Sequence, residues 1–357
     1  MPDSLRNESP RWLSALRLVS GTAVGFALAG CYVLQAARGQ AAILAKREPI
    51  DRVVARAGTP VAVRTRLEQV VAIREFASRE LGLPRNRSYT TYADIGRPYV
   101  VWNVFAAPEF SVEPKRWCYP IAGCVPYRGY FSEKSARGYA ARLERQGLDI
   151  HVAGATAYST LGHFADPVLS SMLRFDDVNL ASIIFHELAH QRFYVPGDSS
   201  FNEAFATAVE QEGVRRWLLA GNRAADLDRF AAQRSHLVAV NADLARTREL
   251  LRDIYKSANG GPQAVAAARV AKASAFADLA QRLGQLSLQW NDGIDYRDWF
   301  ARDLTNASLA AVATYFDCVP GFERLLAESG GDLGVFYLRV GDLAKRSAEE
   351  RRAALCR

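Results

Sequence analysis

His186 and His190 stand four residues apart with Glu187 next to the first, and the segment from Ala181 to Ala189 around them is otherwise mostly apolar. On a helix, residues four apart lie one turn above each other on the same face. Both imidazoles can then point at a single divalent ion. Glu187 is rotated by about 100° from His186 at about 3.6 residues per turn, close enough to hold a water on that ion but off the ligand face. The chain has five histidines in 357 residues, so two at this spacing around a glutamate is a chance event on the order of one in a few hundred. The competing reading is a helix with two surface histidines and a salt-bridged glutamate. The apolar flanks weigh against it, because they would bury a carboxylate that has no partner. The pattern therefore predicts a His-Glu-x-x-His zinc site with Glu187 as general base.

Catalytic zinc needs a third protein ligand and an open fourth position. No histidine follows at the x-x-Gly-x-x-His spacing, so a carboxylate is expected. Pro196-Gly197-Asp198-Ser199-Ser200 supplies a turn and a Ser or Asp N-cap. The Ala-rich segment 200–213 is strongly helix-forming. Glu203 and Glu210 are seven residues apart, two turns along one side of that helix, and both can face the histidines. Glu212 lies off that face. Whichever carboxylate is not a ligand can receive a histidine N–H, and Asp198 can do the same.

The amino-terminal segment reads as an address. Arg6, Arg11 and Arg17 precede a thirteen-residue apolar run, Leu18 to Gly30, followed by Cys31. Thirteen helical residues span roughly 20 Å, short of a hydrocarbon core of about 30 Å. A basic region before a short apolar one is the secretory pattern. Leu28-Ala29-Gly30-Cys31 resembles a bacterial lipobox, which implies cleavage before Cys31, lipid on that residue, and a lipid-anchored, periplasm-facing protein of the cell envelope. The competing reading is a buried apolar helix with an incidental cysteine. Five cysteines are present. Setting Cys31 aside leaves four, and an oxidising compartment permits Cys118–Cys124 and Cys318–Cys356 as disulfides. Four unpaired core cysteines are the alternative. None of the four has zinc-ligand spacing.

After Cys31 no repeat or low-complexity linker divides the chain. Segment 61–81 has helical periodicity, and Gly82 and Pro84 break it. Segment 98–106 reads as a strand and 117–131 as strand and turn; 132–146 reads as a helix closed by Gly147, and 149–158 as another strand. From about residue 176 the pattern is helical. The expectation is an α+β fold: a leader over 1–30, then one domain over 31–357 with a mixed part at about 60–175 and a helical part at about 176–357. Apolar residues make up 49% and charged residues 23%, which excludes a disordered or coiled-coil chain. The net charge of +7 is spread along the chain without a basic block, so no nucleic-acid partner is expected.

Asn202-Glu203-Ala204 opening the second helix resembles the gluzincin metallopeptidases, in which the Glu of an Asn-Glu pair binds zinc. That resemblance selects Glu203, with Glu210 as the alternative. Glu203 follows His190 by thirteen residues and Glu210 by twenty, and a spacing of roughly twenty is the commoner one in that clan. Further segments carry a wider resemblance: Cys118-x-Pro120, Gly123-Cys124-Val125-x-Tyr127-Arg128-Gly129-Tyr130-Phe131, Ala157-Tyr158-Ser159-Thr160-Leu161-Gly162, and Phe185-His186-Glu187-Leu188-Ala189-His190-Gln191. Together they resemble the bacterial "putative aminopeptidase" lipoprotein family, from about Cys31 to near residue 345. The resemblance implies a zinc-dependent peptidase acting on peptides, with aminopeptidase activity implied by the family label alone. The Gly-x-Met-Glu-Asn amine-binding motif of other zinc aminopeptidases is absent. Zinc held by His186, His190 and Glu203 would activate a water whose proton Glu187 takes. The developing oxyanion needs a further donor, for which Tyr158, Tyr127, Arg128 and Tyr194 are candidates. Two rivals remain at this stage: a non-catalytic envelope lipoprotein using the metal structurally as a binding or assembly factor, and a zinc hydrolase of another amide or ester.

Overall fold

The computed structural model describes residues 32–119, 122–290 and 304–356. The expected leader over 1–30 and its Cys31 lie outside the described residues. The chain divides into two compact units, Met1–Ala45 and Lys46–Arg357. In the first, the described residues form helix α1 (32–45). The second begins with β1 (Glu48–Pro49), α2 (Ile50–Ala55), α3 (Val61–Arg79), β2 (Thr91–Ala93) and β3 (Val101–Pro108). A hairpin of β4 (Trp117–Tyr119) and β5 (Gly123–Val125) follows, then β6 (Tyr127–Tyr130), α4 (Glu133–Glu144), β7 (Leu148–Ala155) and β8 (Val168–Leu169). The rest is helical: α5 (Asp177–His190), α6 (Ser199–Ala220), α7 (Ala224–Ser257), α8 (Pro262–Trp290), α9 (Asn306–Phe316), α10 (Val319–Glu328), α11 (Leu333–Ala344) and α12 (Ala348–Leu355). The fold is α+β, with small sheets and a helical carboxy-terminal half.

Strand β3 is almost continuously apolar, as a strand covered on both faces should be. It is the centre of the antiparallel sheet β6-β3-β7. Its register sets Val101 opposite Ala155 and Phe105 opposite both His151 and Tyr127. Helix α4 covers one face, with Ala136, Ala140 and Leu143 buried. Helix α9 covers the other, where Ala307 and Ala311 meet Phe105, Ala107 and Tyr127. A second sheet, β1-β2-β8, is smaller. The β4–β5 hairpin pairs Cys118 with Cys124, and the two form a disulfide.

Helix α5 lies between α3 and α6. Its Leu180, Ala181, Ile184, Phe185, Leu188 and Ala189 are wholly buried. Small residues let α6 approach closely. A Cβ at Gly213 would stand 2.8 Å from both Leu81 and Phe185, tighter than side chains tolerate, so only glycine admits this spacing. Beyond α6, Phe201 and Phe205 meet Phe322 at ring distances of 5.2 and 5.8 Å, and Phe205 stacks on Phe336 at 6.1 Å. A second disulfide, Cys318–Cys356, ties the start of α10 to the end of α12. The long hairpin of α7 and α8 packs around Val240, Leu244, Leu251, Leu279 and Leu283, in a cluster that also takes in Val112 and, from α9, Leu309.

Candidate metal centre

The side chain of Asp176 caps α5 by accepting from the Asn179 N–H at 2.8 Å. That fixes where the helix starts and so which residues fall on its α6-facing side. The link to α6 is short and clamped. Asn202, only 2% exposed, accepts from the Val195 N–H at 2.8 Å and donates to the Val195 carbonyl at 2.9 Å. Asp198 caps α6 through the Phe201 N–H and pairs with Arg351, so it is a structural acid and not a partner of the histidines. Tyr194 donates to Ala122 O at 3.1 Å, and the Gly197 N–H does so at 3.0 Å. The disulfide hairpin thus braces the turn between the two site helices. A Cβ on Gly123 would lie 2.4 Å from the Gly197 nitrogen, so this bracing also requires glycine.

The clamp brings three ligand-type atoms together. His190 Nε2 lies 3.2 Å from His186 Nε2, His186 Nε2 lies 3.3 Å from Glu203 Oε2, and His190 Nε2 lies 3.5 Å from that same oxygen. Among the described residues, His186, His190 and Glu203 form a group that can hold a metal ion. Glu210 is outside the triangle. Its Oε2 lies 3.0 Å from His186 Nδ1, and its Oε1 accepts from the Ser182 hydroxyl at 2.7 Å. Glu212 pairs instead with Arg215 and Arg216.

Charge and burial act together here. Burial pushes the Glu187 carboxyl up, and the charges of His186 and His190 only partly oppose this, so it stays above the ordinary carboxylate value. Burial would likewise raise Glu203, but the charge of His190 and the contacts with His186 outweigh it and hold Glu203 down at about 2. For His186, burial disfavours the charged ring. Hydrogen bonds to Glu203 and Glu210 overcome that and set it well above the usual histidine range.

The four candidate oxyanion residues separate. Arg128 and Tyr127 are neighbours on β6, so they point to opposite faces. The Arg128 guanidinium lies 4.7 Å from the Tyr139 ring centroid, on the α4 face of the sheet. Tyr127 packs on Phe105 at 5.5 Å, on the α9 face. Tyr194 is near enough for the Glu203 charge to reinforce the effect of burial on its phenol, but its hydroxyl is engaged with Ala122. Tyr158 packs edge-on against Phe131 at 5.8 Å.

Two tyrosines with no sequence signal lie within the electrostatic reach of the site. Tyr315, one helical turn beyond Ala311 on α9, has its phenol raised well above the ordinary value by the Glu203 charge, then by burial, Tyr127 and Glu187. Tyr89 is 2% exposed, and its hydroxyl is buried without a hydrogen-bond partner. Burial and then the Glu187 and Asp166 charges raise its phenol well above the ordinary value. Its backbone has φ +60°, a strained region for a non-glycine residue, costing about 1–3 kcal/mol. An unpaired buried hydroxyl costs about 1–3 kcal/mol more. Ser182 was missed in the sequence, where its place one turn before His186 on the same face was the signal that could have found it.

An α+β chain in which a His-Glu-x-x-His helix and an acid from the next helix converge belongs, by its arrangement, with proteins that can hold a metal ion between two helices. The chain is a member of the putative aminopeptidase family, whose sequence model matches residues 31–355. No curated protein and no solved structure gives a significant match.

Proposed function

We propose that the protein is a zinc-dependent peptidase of the bacterial cell envelope that acts at the free amino end of peptides. The triangle of His186, His190 and Glu203 carries the reading. Zinc holds nitrogen and oxygen ligands tetrahedrally at about 2.0–2.1 Å, which separates any two of them by about 3.3–3.4 Å. The triangle's edges are 3.2, 3.3 and 3.5 Å. Its corners are atoms that can bind a cation through a lone pair, and the Glu203 and Glu210 carboxylates beside His186 favour positive charge there. The donor set therefore fits such an ion.

His186, His190 and Glu203 would hold the metal, which supplies a Lewis acid and an activated water. Glu187 takes the proton of the attacking water. Its raised pKa brings it nearer to the working pH, where a general base is most effective. It then passes that proton to the leaving amine. Glu210 accepts the Nδ1 proton of His186 and so keeps the Nε2 lone pair facing inward. Tyr315, held protonated by its surroundings, is assigned as donor to the carbonyl oxygen as charge develops there. A purely structural metal site has no use for a base at position 187. The preference for a free amine rests on the family's description. The envelope location rests on Leu28-Ala29-Gly30-Cys31, with lipid on Cys31, and two disulfides suit an oxidising compartment. Among the described residues no helix is long and apolar enough to cross a membrane; the anchor in this reading is the lipid on Cys31.

The test is purified 32–357 protein beside Glu187→Gln, assayed for zinc content and for cleavage of peptides with free and with blocked amino ends. The wild type should bind one zinc and cleave only the free-ended peptides, while Glu187→Gln keeps the zinc and loses turnover. Equal turnover in the two proteins would remove Glu187 from the mechanism. Loss of the chain from the membrane fraction in Cys31→Ser checks the anchor.

A further inference from the structure

Residues 84–90 are built around one outcome, the placement of the Tyr89 side chain. Arg74, itself buried, donates to the carbonyls of Ser88 at 3.1 Å, Pro84 at 2.7 Å and Asn86 at 3.2 Å. The Asn86 side chain accepts from the Ser88 N–H at 3.0 Å. The Tyr89 N–H donates to Asp166 O at 2.6 Å. Gln191, the residue after His190, closes the assembly: it accepts from Asn86 Nδ2 at 2.7 Å and donates to the Ser88 hydroxyl at 3.3 Å. The segment is therefore fastened to the end of α5, the helix that carries Glu187.

Within this frame Tyr89 breaks two ordinary rules at once. It adopts φ +60° without being glycine, and it buries a hydroxyl that has no partner. Phenylalanine would fill the same space without the orphaned group. A feature that disfavours folding, held in place by so many contacts, has its explanation at the site. Substrate cannot reach a side chain that is 2% exposed. The foremost charge acting on that hydroxyl is the Glu187 carboxylate, ahead of Asp166, and both Asp166 oxygens already accept from Thr160.

We propose that Tyr89 is a positioning residue for Glu187, its buried hydroxyl donating to that carboxylate when the base turns toward the reacting water and so fixing its orientation. The proposal rests on Glu187 being the base. It predicts a residue whose loss harms turnover without harming the fold, the reverse of what a structural tyrosine would do.

The experiment has two arms. In the first, metal-free wild type, Tyr89→Phe, Glu187→Gln and the double variant are melted side by side. Tyr89→Phe should melt at or above the wild-type temperature, and its effect should differ between the wild-type and Glu187→Gln backgrounds, because the Glu187 charge acts on that hydroxyl and coupled groups are not additive. In the second, zinc-loaded Tyr89→Phe should keep its metal and its KM while kcat falls at least about tenfold, the scale on which outer partners act. A lowered melting temperature with unchanged kcat would make Tyr89 structural and overturn the proposal, and so would additive melting shifts. If the wild type cleaves no peptide, the proposed function fails, while the melting arm still reports whether Tyr89 and Glu187 interact.

Discussion

Glu210 Oε2 stands 3.0 Å from His186 Nδ1, on the far side of the ring from the Nε2 that meets Glu203. Two glutamates seven residues apart on α6 therefore grip the two nitrogens of one imidazole. Ser182, one turn before His186, donates to the remaining oxygen of Glu210 at 2.7 Å. The ring's orientation is determined by α6 as much as by α5.

Glu203→Ala should abolish stoichiometric zinc binding, because it removes a corner of the triangle. Glu210→Gln should leave the ligands in place and weaken zinc affinity by roughly 10–100-fold, as loss of an outer hydrogen-bond partner does. Zinc titration against a competing chelator ranks the two variants. The opposite ranking would make Glu210 the ligand.

The metal-free protein should be most stable in mildly acidic solution. Glu203 is depressed from 4.5 to about 2, so its contribution is present above about 4.5 and is lost as pH falls towards about 2. His186 is raised above its ordinary 6.5, so its contribution is present below 6.5 and is lost as pH climbs through the folded value. The two shifts share the Glu203–His186 contact and are not simply added, since His190 also acts on Glu203 and Glu210 on His186. Melting temperature against pH should therefore peak between roughly 4.5 and 6.5. Zinc binding should also release a proton near neutrality, which calorimetry in buffers of different ionisation enthalpy can count.

Asn202→Ala should lower both stability and zinc affinity. The substitution deletes two hydrogen bonds to Val195, for about 1–3 kcal/mol, and frees the turn that sets Glu203 opposite His190. Denaturant unfolding and zinc titration of the same preparation check both effects together.

Removing the Cys318–Cys356 bridge by a double serine variant should destabilise the chain by about 4 kcal/mol, the chain-entropy value for a closed loop of this length, since the cysteines are 38 residues apart. Zinc affinity should be little changed, because the bridge joins α10 to α12 and touches none of the triangle.

The helical character of 176–190, the turn at 196–200 and the Ala-rich helix after it were legible in the sequence, because each is written in local periodicity and turn chemistry. The expected starts agree with the elements seen, as α5 begins at Asp177 and α6 at Ser199, while α6 runs on to Ala220, beyond the Ala-rich segment. Strand β3 and helix α4 could be read for the same reason. Periodicity could not say which glutamate meets which nitrogen of His186, since Glu203 and Glu210 share one helix face, and only the Asn-Glu resemblance favoured Glu203 as the ligand. Their assignment depends on the phase and spacing of α5 against α6, which the Asn202 clamp and the bare backbone of Gly213 determine. Tyr89 and Tyr315 could not be read either. One precedes the histidines by about a hundred residues and the other follows by more than a hundred. No local period links residues so far apart, and only the packing of the whole chain brings their phenols within reach of Glu187 and Glu203.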